Sequence, residues 1–153
     1  MSVADRPEPL PPHDIFAEEA VLASLMVDPG ALARVQPLEA ADFYREVNGN
    51  IYAACLGAAR RWAAASWPIR EGAPPPTPVN QVTVAHELSR ADRLEDAGGI
   101  GRLSRLIGDL ITPVGCEYYA EIIRDCARRR RQIAEAGRMA REAYSGDRPR
   151  GGP

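Results

Sequence analysis

Four consecutive arginines, Arg128, Arg129, Arg130 and Arg131, form the one run of residues with a clear chemical bias. Guanidinium groups form paired hydrogen bonds with phosphate and carboxylate, so such a cluster can contact nucleic acid or an acidic protein surface. Four successive residues point to all sides of a helix, so at least one of them must leave the solvent face or meet a partner. Three interpretations stay open at this point: a DNA contact, a protein interface, and a salt-bridged helix surface in water.

The other residues that could do chemistry are few: His13, His86, Cys55, Cys116 and Cys126. They form no CxxC or HxxxH pattern of a zinc site, and no GxSxG motif or Cys beside a plausible His indicates a hydrolase. The three cysteines are therefore expected to be unpaired packing residues. We predict no catalytic, cofactor-binding or metal-binding residue in this chain.

Two pairs of adjacent carboxylates occur, Glu18-Glu19 and Glu95-Asp96. Neighbouring residues on a helix point about 100° apart, so such a pair cannot easily share a proton or a metal ion. We expect both pairs to lie on solvated polar surfaces.

The chain contains no lysine; all 19 basic residues are arginine. A P-loop needs the lysine of its GxxxxGK[ST] motif to reach the nucleotide phosphates, and a Schiff-base enzyme needs an amine. Both classes are excluded, and we expect the chain neither to bind nor to hydrolyse ATP.

The composition predicts one soluble globular domain, because 45% of the 153 residues are hydrophobic and 26% are charged. No apolar run reaches the roughly 18 residues of a membrane span, and the Pro-rich, acidic segment 1–14 is unlike a signal peptide. We therefore expect a cytoplasmic protein without membrane contact. The net charge of −2 divides unevenly: the chain up to Ile111 is acidic and the remainder is basic.

Apolar residues recur at helical spacing between clusters of proline, and no useful stretch alternates as a strand would. The fold class is therefore predicted to be all-α. The first expected helix is Ile15–Val27, capped by Asp14 and with a stripe of Phe16, Ala20, Ala23 and Val27. The other expected helices are, in order, a short one from Pro29 to Val35, one carrying Tyr52 to Ala63, one after the cap Asn80, one from Ile100 to Ile111, and a long one from Cys116 to Tyr144.

The last two helices are joined by a short turn ending at Gly115, so we predict a long antiparallel helical hairpin beside a compact helical head. The expected boundaries are an extended Pro-rich lead-in over residues 1–12, the helical domain over 13–144, and a linker-like tail over 145–153. Within the domain, residues 67–80 hold too many prolines for a helix and are expected to form an inserted loop.

A series of short motifs resembles, in order and nearly in spacing, the N-terminal domain of DnaB-type bacterial replicative DNA helicases. It covers almost the whole chain, from Pro12 to Tyr144. The motifs are Pro12-His13-Asp14-Ile15, Ala17-Glu18, Val21-Leu22, Asp28-Pro29, Asp42-Phe43-Tyr44, Ile51-Tyr52, Val82-Thr83-Val84, Glu87-Leu88, Gly98-Gly99, Tyr118-Tyr119-Ala120, Ile122-Ile123 and Arg130. The departures are Phe16 for the usual Glu, Ala23 for Gly, Asn48 for His, Asn80 for Asp, the Pro-rich insertion, and the four-arginine run in place of a partly apolar stretch.

The resemblance implies a non-catalytic collar domain. Such domains pair through their helical hairpins, organise a hexamer as a trimer of dimers, and dock the primase and in some cases a helicase loader. ATP and Mg²⁺ would belong to the motor domain that follows in the family, and single-stranded DNA would be contacted only indirectly. The alternatives are a stand-alone small helical protein that binds DNA or regulates another protein, and an unrecognised enzyme.

The long C-terminal helix carries more apolar residues than one packing partner needs, so we predict self-association through it as a homodimer. The candidate interface residues are Tyr119, Ile122, Ile123, Ile133 and the arginines 128–131. The arginines are expected to meet Glu117, Glu121 and Asp125 of an opposing antiparallel helix. The same arginines are the candidates for a nucleic-acid contact.

Overall fold

The computed structural model describes residues 8–65, 78–110, 112 and 114–146. The described residues form helices and connections without any strand, which confirms the all-α class. The elements are α1 (Ile15–Val27), α2 (Ala31–Val35), a 3-10 turn (Ala40–Asp42), α3 (Glu46–Ala64), α4 (Gln81–Arg90), α5 (Gly99–Asp109) and α6 (Cys116–Ser145). Most of the predicted loop 67–80, the start of the lead-in and residues 147–153 lie outside the described residues.

Side-chain caps begin two of the helices where the sequence predicted them. Asp14 accepts a hydrogen bond from the amide of Ala17 at 2.9 Å and starts α1. Asn80 accepts from the amides of Val82 and Thr83, and the Thr83 hydroxyl accepts from the Asn80 amide, which starts α4. Each cap satisfies amides that the first turn of a helix leaves without a backbone partner.

Helix α1 is the centre of the core. Nine of its 13 residues are buried, on all sides of the helix, and it packs against α2, α3, α5 and α6. A helix that is apolar all round can be covered from several directions at once. The other helices therefore surround α1, and we call α1 to α5 with the 3-10 turn the head.

The structure differs from the predicted hairpin in one respect. The turn at Gly115 joins α5 to α6 as expected, with Gly115 in the left-handed region at φ +88° that glycine adopts without strain. However, α5 packs on α1 and α4, whereas α6 packs on α1, α2 and the 3-10 turn. Because α1 offers apolar surface to both helices, each is covered mainly by α1, and among the described residues α6 alone runs beyond the head.

Three side chains of α1 depart from their predicted surroundings. Phe16 and Val27, predicted to share the core stripe of Ala20 and Ala23, are exposed. Glu18, predicted to be solvated, is 1% exposed and accepts hydrogen bonds from the Tyr44 amide and from Asn48 Nδ2. The second prediction was wrong because Tyr44 and Asn48, distant in sequence, supply the donors that make burial of the carboxylate tolerable.

Tyr52 of α3 ties the connection before the 3-10 turn to the core. Its hydroxyl donates to the Leu38 carbonyl at 2.8 Å and accepts from Gln36 Nε2 at 3.1 Å, and the residue is fully buried. Burial raises the pKa of Tyr52, so the hydroxyl keeps its proton and remains a donor at neutral pH. The polar end of this side chain therefore fixes the path of the chain between α2 and α3.

The variant Tyr52→Phe tests this role. It leaves the ring in place but leaves the buried Leu38 carbonyl without its donor, so we expect a loss of about 1 to 3 kcal/mol in the free energy of unfolding, measured by urea titration. Tyr144→Phe makes the same chemical change at an exposed position and should lie within about 0.5 kcal/mol of the parent. Equal midpoints for the two variants would contradict the assignment.

Candidate protein-interaction site

The head covers only the first half of helix α6. Its 30 residues span about 45 Å, yet its buried residues, Cys116, Ala120, Ile123 and Ala127, all lie in the first half. From Arg128 to Ser145 every residue is exposed except Arg130 and Gly137. The second half of α6 therefore projects from the head into solvent.

The side of α6 that faces the head is apolar where the head covers it and becomes polar beyond the end of the head. Eighteen residues make about five turns, so residues 18 apart have the same bearing on the helix. The four buried positions of the first half repeat at Ala134, Arg138, Arg141 and Ser145. Arg138 there forms ion pairs with Glu135 and Glu142 of its own helix. This side of the projecting half is therefore polar, as expected of a surface in water.

The side of α6 that is turned from the head carries apolar residues along its whole length, interrupted by Arg129. Tyr118, Ile122 and Cys126 repeat 18 residues later at Ala136, Ala140 and Tyr144, and Ile133 lies on the same side. Tyr118, Ile133 and Tyr144 are 67%, 56% and 93% exposed. We call this stripe the outer face of α6. Exposed apolar residues grouped on one side of a helix are typical of interaction sites.

The arginine run divides into residues with different tasks. Arg130 donates to the carbonyls of Pro12 and Asp42 and lies 5.7 Å from the centre of the Tyr44 ring. Arg131 pairs with the buried Asp42 carboxylate at 2.8 Å. These two residues fasten α6 to the 3-10 turn and the lead-in. The prediction that at least one guanidinium of the run must meet a partner is confirmed.

The other two arginines of the run face water. Arg128 pairs with Asp125 one turn earlier in α6, and Arg129 is exposed without a described partner. An exposed pair within one helix contributes little to stability. Of the four candidates for a nucleic-acid contact, Arg129 alone forms no hydrogen bond or ion pair with the described residues.

The candidate interface residues of α6 also occupy different environments. Ile133 is exposed on the outer face, and Ile122 on the same face is partly buried against the head. Tyr119 is half-buried and packs edge-on against Phe16, whose ring centre is 5.6 Å away. Ile123 is only 2% exposed, so its selection as an interface residue was wrong: it packs into the head core.

The acidic residues expected to meet arginines of a second helix already have partners in this chain. Glu117 pairs with Arg34 of α2 at 2.8 Å, Glu121 pairs with Arg124, and Asp125 pairs with Arg128. Two of these pairs form because the residues lie three apart on one helix, a spacing that brings their side chains together. The predicted exchange of ion pairs between two copies is therefore not supported.

The α2 contact also holds the first turn of α6. Arg34 bridges Asp28 and Glu117 and approaches the Cys116 thiol at 3.5 Å. Burial raises the pKa of Cys116, which keeps the thiol protonated, as expected of a packing cysteine. This end of α6 is thus anchored at α2, while Arg130 and Arg131 anchor it near its middle.

A groove opens beside the first turn of α6, where α5 and α6 diverge over α1. Ala20 and Ala23 form its floor, Leu106 and Leu110 one wall, and Tyr119 with Phe16 the other, enclosing about 350 Å³. Glu19 and Asp109 stand at its rim. The helical periodicity of α1 placed Phe16 in the core, so the sequence did not reveal this groove; the Phe in place of the family's usual Glu was the available signal.

The described residues offer no grouping that would suggest catalysis. No cluster of three or more His, Cys, Asp or Glu side chains suited to a metal ion occurs among them. His13 donates from Nδ1 to the Pro11 carbonyl and its ring stacks on Tyr44 at 4.3 Å, while His86 is exposed on α4. Nor is any helix in the described part long and apolar enough to cross a membrane.

Comparison with known proteins identifies the family. The family described as "DnaB-like helicase N terminal domain" matches residues 10–66 and 70–125. The chain belongs to this family. It is 35% identical over 139 residues to the replicative DNA helicase DnaB of Geobacillus stearothermophilus and 35% identical over 137 residues to the replicative DNA helicase DnaC of Bacillus subtilis.

A solved structure agrees with this DnaB assignment. The N-terminal domain of DnaB helicase from Mycobacterium tuberculosis has a TM-score of 0.77 and 33% identity, covering 89% of this chain and 88% of that one. The matches to the two curated helicases span 90% and 89% of this chain but only 28% and 27% of the lengths of the helicases. The similarity is therefore to the N-terminal domain of DnaB proteins, about a quarter of those chains.

The division of the arginine run in this DnaB-type domain can be tested by two neighbouring substitutions. Arg130→Ala leaves the Pro12 and Asp42 carbonyls without their donor, so we expect a loss of about 1 to 3 kcal/mol in the free energy of unfolding. Arg129→Ala removes an exposed side chain and should cost no more than about 0.5 kcal/mol. Urea titration measures both, and an equal loss in the two variants would refute the division.

Proposed function

We propose that the chain is a non-catalytic collar and interaction domain of a replicative DNA helicase, which pairs subunits through the outer face of α6. The observation that carries the proposal is that this face carries apolar residues from Tyr118 to Tyr144, with Arg129 among them, although the head covers only the other side. Membership of the DnaB N-terminal family supports the helicase setting. The domain would act in the cytoplasm.

An isologous pair fits the outer face best. In such a pair the same surface of both copies is used, and two α6 helices packed antiparallel would bury both stripes at once. The small residues Ala136, Gly137 and Ala140 let two helices approach closely, while Tyr118, Ile133 and Tyr144 supply the larger apolar contacts. Stable interfaces of this kind commonly bury about 1,200 Å² or more in total.

In the full helicase these pairs would assemble as a trimer of dimers. ATP and Mg²⁺ would then be bound by a motor domain outside this chain, consistent with the absence of lysine and of a P-loop from the sequence. An assay for ATP turnover by the purified chain should give the buffer background, and turnover that follows the protein through purification would refute the non-catalytic part.

Docking of the primase, or of a helicase loader, is the second part of the proposal. A surface away from α6 is available for it: Val82 and Ile100 are exposed on either side of a shallow depression of about 180 Å³ that also includes Ala85 and Leu94. The helices that carry it, α4 and α5, pack against α3 and α1. A partner could therefore bind there while α6 pairs.

The docking surface is tested by co-sedimentation with the primase of the same organism. Ile100→Asp should weaken the complex by about tenfold or more, as expected for a central apolar contact, without changing self-association. Ser104→Asp introduces the same charge on the neighbouring turn of α5 and should have a smaller effect. If both variants bind primase as the parent does, the depression is not the docking surface.

Pairing through α6 is tested by sedimentation of two variants that carry the same new charge on opposite sides of the helix. We expect concentration-dependent dimers of the parent, weakened about tenfold or more by Ile133→Asp on the outer face. Ala134→Asp on the head-facing side should change the dimer constant by less than about threefold. A parent that stays monomeric up to about millimolar concentration, or equal effects of the two variants, would reject the proposal.

The stand-alone DNA-binding alternative predicts a different result. Salt-sensitive binding to single-stranded DNA that is lost in Arg129→Ala, without loss of dimers in Ile133→Asp, would favour it. Arg130 and Arg131 are engaged with Pro12 and Asp42, which leaves little of the run for phosphate. The acidic isoelectric point of about 5.7 also argues against a dedicated DNA-binding protein.

A further inference from the structure

The groove between α5 and α6 has no occupant within the described chain. Its floor of Ala20 and Ala23 is flat, its walls are apolar, and Phe16 at its edge is 66% exposed. Its volume of about 350 Å³ lies in the range of sites that hold a bulky side chain or a small ligand. An aromatic cluster made by Phe16, Tyr119 and Tyr118 forms the side nearest α6.

The register of an antiparallel α6 pair determines what lies beside this groove. The outer face begins at Tyr118 and ends at Tyr144, so full overlap of two stripes places these residues opposite each other and centres the pair near residue 131. Ile122 then lies opposite Ala140 of the second copy. The last turn of α6 from one copy is thereby brought to Tyr118 of the other, next to the aromatic edge of the groove.

The end of α6 matches the groove in shape. Its last two turns carry the small residues Ala140 and Ala143 beside Tyr144, which is 93% exposed, while the other large apolar residue there, Met139, lies on another side of the helix. A tyrosine can bury an apolar ring while its hydroxyl stays at a wet edge, a combination that recurs at interfaces. The flat alanine floor leaves room for such a ring between Leu110 and Phe16.

The charges also match. Asp109 at the rim of the groove forms no ion pair among the described residues, and Glu19 is held only by Arg102 at 3.5 Å. At the end of α6, Arg141 lies on the head-facing side one turn before Tyr144, and it likewise forms no ion pair in the described part of the chain. An arginine brought near two rim carboxylates would be attracted by both.

We propose that the α5–α6 groove of one copy receives the last turns of α6, with Tyr144 at its centre, from a second copy of this chain. The inference rests on the antiparallel pairing proposed above and adds a second, symmetric contact at each end of the pair. The two grooves and the outer faces then form one continuous interface. A dimer built this way fixes the register of the two helices, which a stripe of small residues alone would leave free to slide.

Cross-linking tests the proposal directly, in a Cys126→Ser background so that Cys55 and Cys116, both buried, are the remaining native thiols. One sample carries Thr112→Cys at the mouth of the groove and a second carries Tyr144→Cys; they are mixed and oxidised. We expect a disulfide-linked heterodimer, identified by mass. Ser89→Cys, exposed on α4, is the control partner and should link to Tyr144→Cys at the background rate.

Affinity supplies the second measurement. Tyr144→Ala should weaken the dimer by about tenfold, and Tyr144→Phe should retain it, because the ring makes the contact. Met139→Ala removes another large exposed side chain, 60% exposed, from a different side of α6 and should change the dimer dissociation constant by less than about threefold.

The outcomes separate the two proposals. A dimer that depends on Ile133 but forms neither the cross-link nor a Tyr144-dependent contact would overturn groove docking and leave the α6 pairing in place. A strictly monomeric parent would overturn both. A cross-link above the control together with the loss in Tyr144→Ala would establish the contact.

Discussion

The contacts of Arg130 and Arg131 with Asp42 determine how far along α6 the helix is fastened to the head. Asp42 is buried at the end of the 3-10 turn, where its carboxylate also accepts from the Glu39 amide at 2.9 Å. A buried carboxylate needs such partners, and a guanidinium that donates to it is strongly held. These are the last described hydrogen bonds between α6 and the head. Beyond them the helix depends on its own backbone and on the ion pairs of Arg138.

These contacts divide α6 into a first half that packs on the head and a second half that projects into solvent. The outer face runs along both halves. A projecting helix with a polar surface all round would need no partner, because its ion pairs and solvent would suffice. The outer face of α6 instead keeps apolar residues as far as Tyr144, far from any part of the head. Our proposal is that this face is buried against a second copy of the chain. Membership of the DnaB N-terminal domain family is consistent with this proposal.

The sequence predicted the elements well and their surroundings less well. Asp14 and Asn80 identified helix starts because capping is a local interaction between a side chain and nearby amides. Periodicity located the apolar stripes but could not say which side of α6 the head covers, so Ile123 and Ile133 were treated alike. Glu18 shows the same limit, since its burial depends on donors that are adjacent only after folding.

The central claim is that two α6 helices pair antiparallel through their outer faces. Spin labels placed singly at Glu121, Gln132 and Glu142, all exposed, measure it directly through the distance between equal positions in the two copies. In an antiparallel pair centred near residue 131 this distance is shortest at residue 132 and grows by about 3 Å per residue toward either end, twice the helical rise. We predict that pattern. A distance that is the same at all three positions, or the absence of any dipolar signal at concentrations where the label is abundant, would contradict the account.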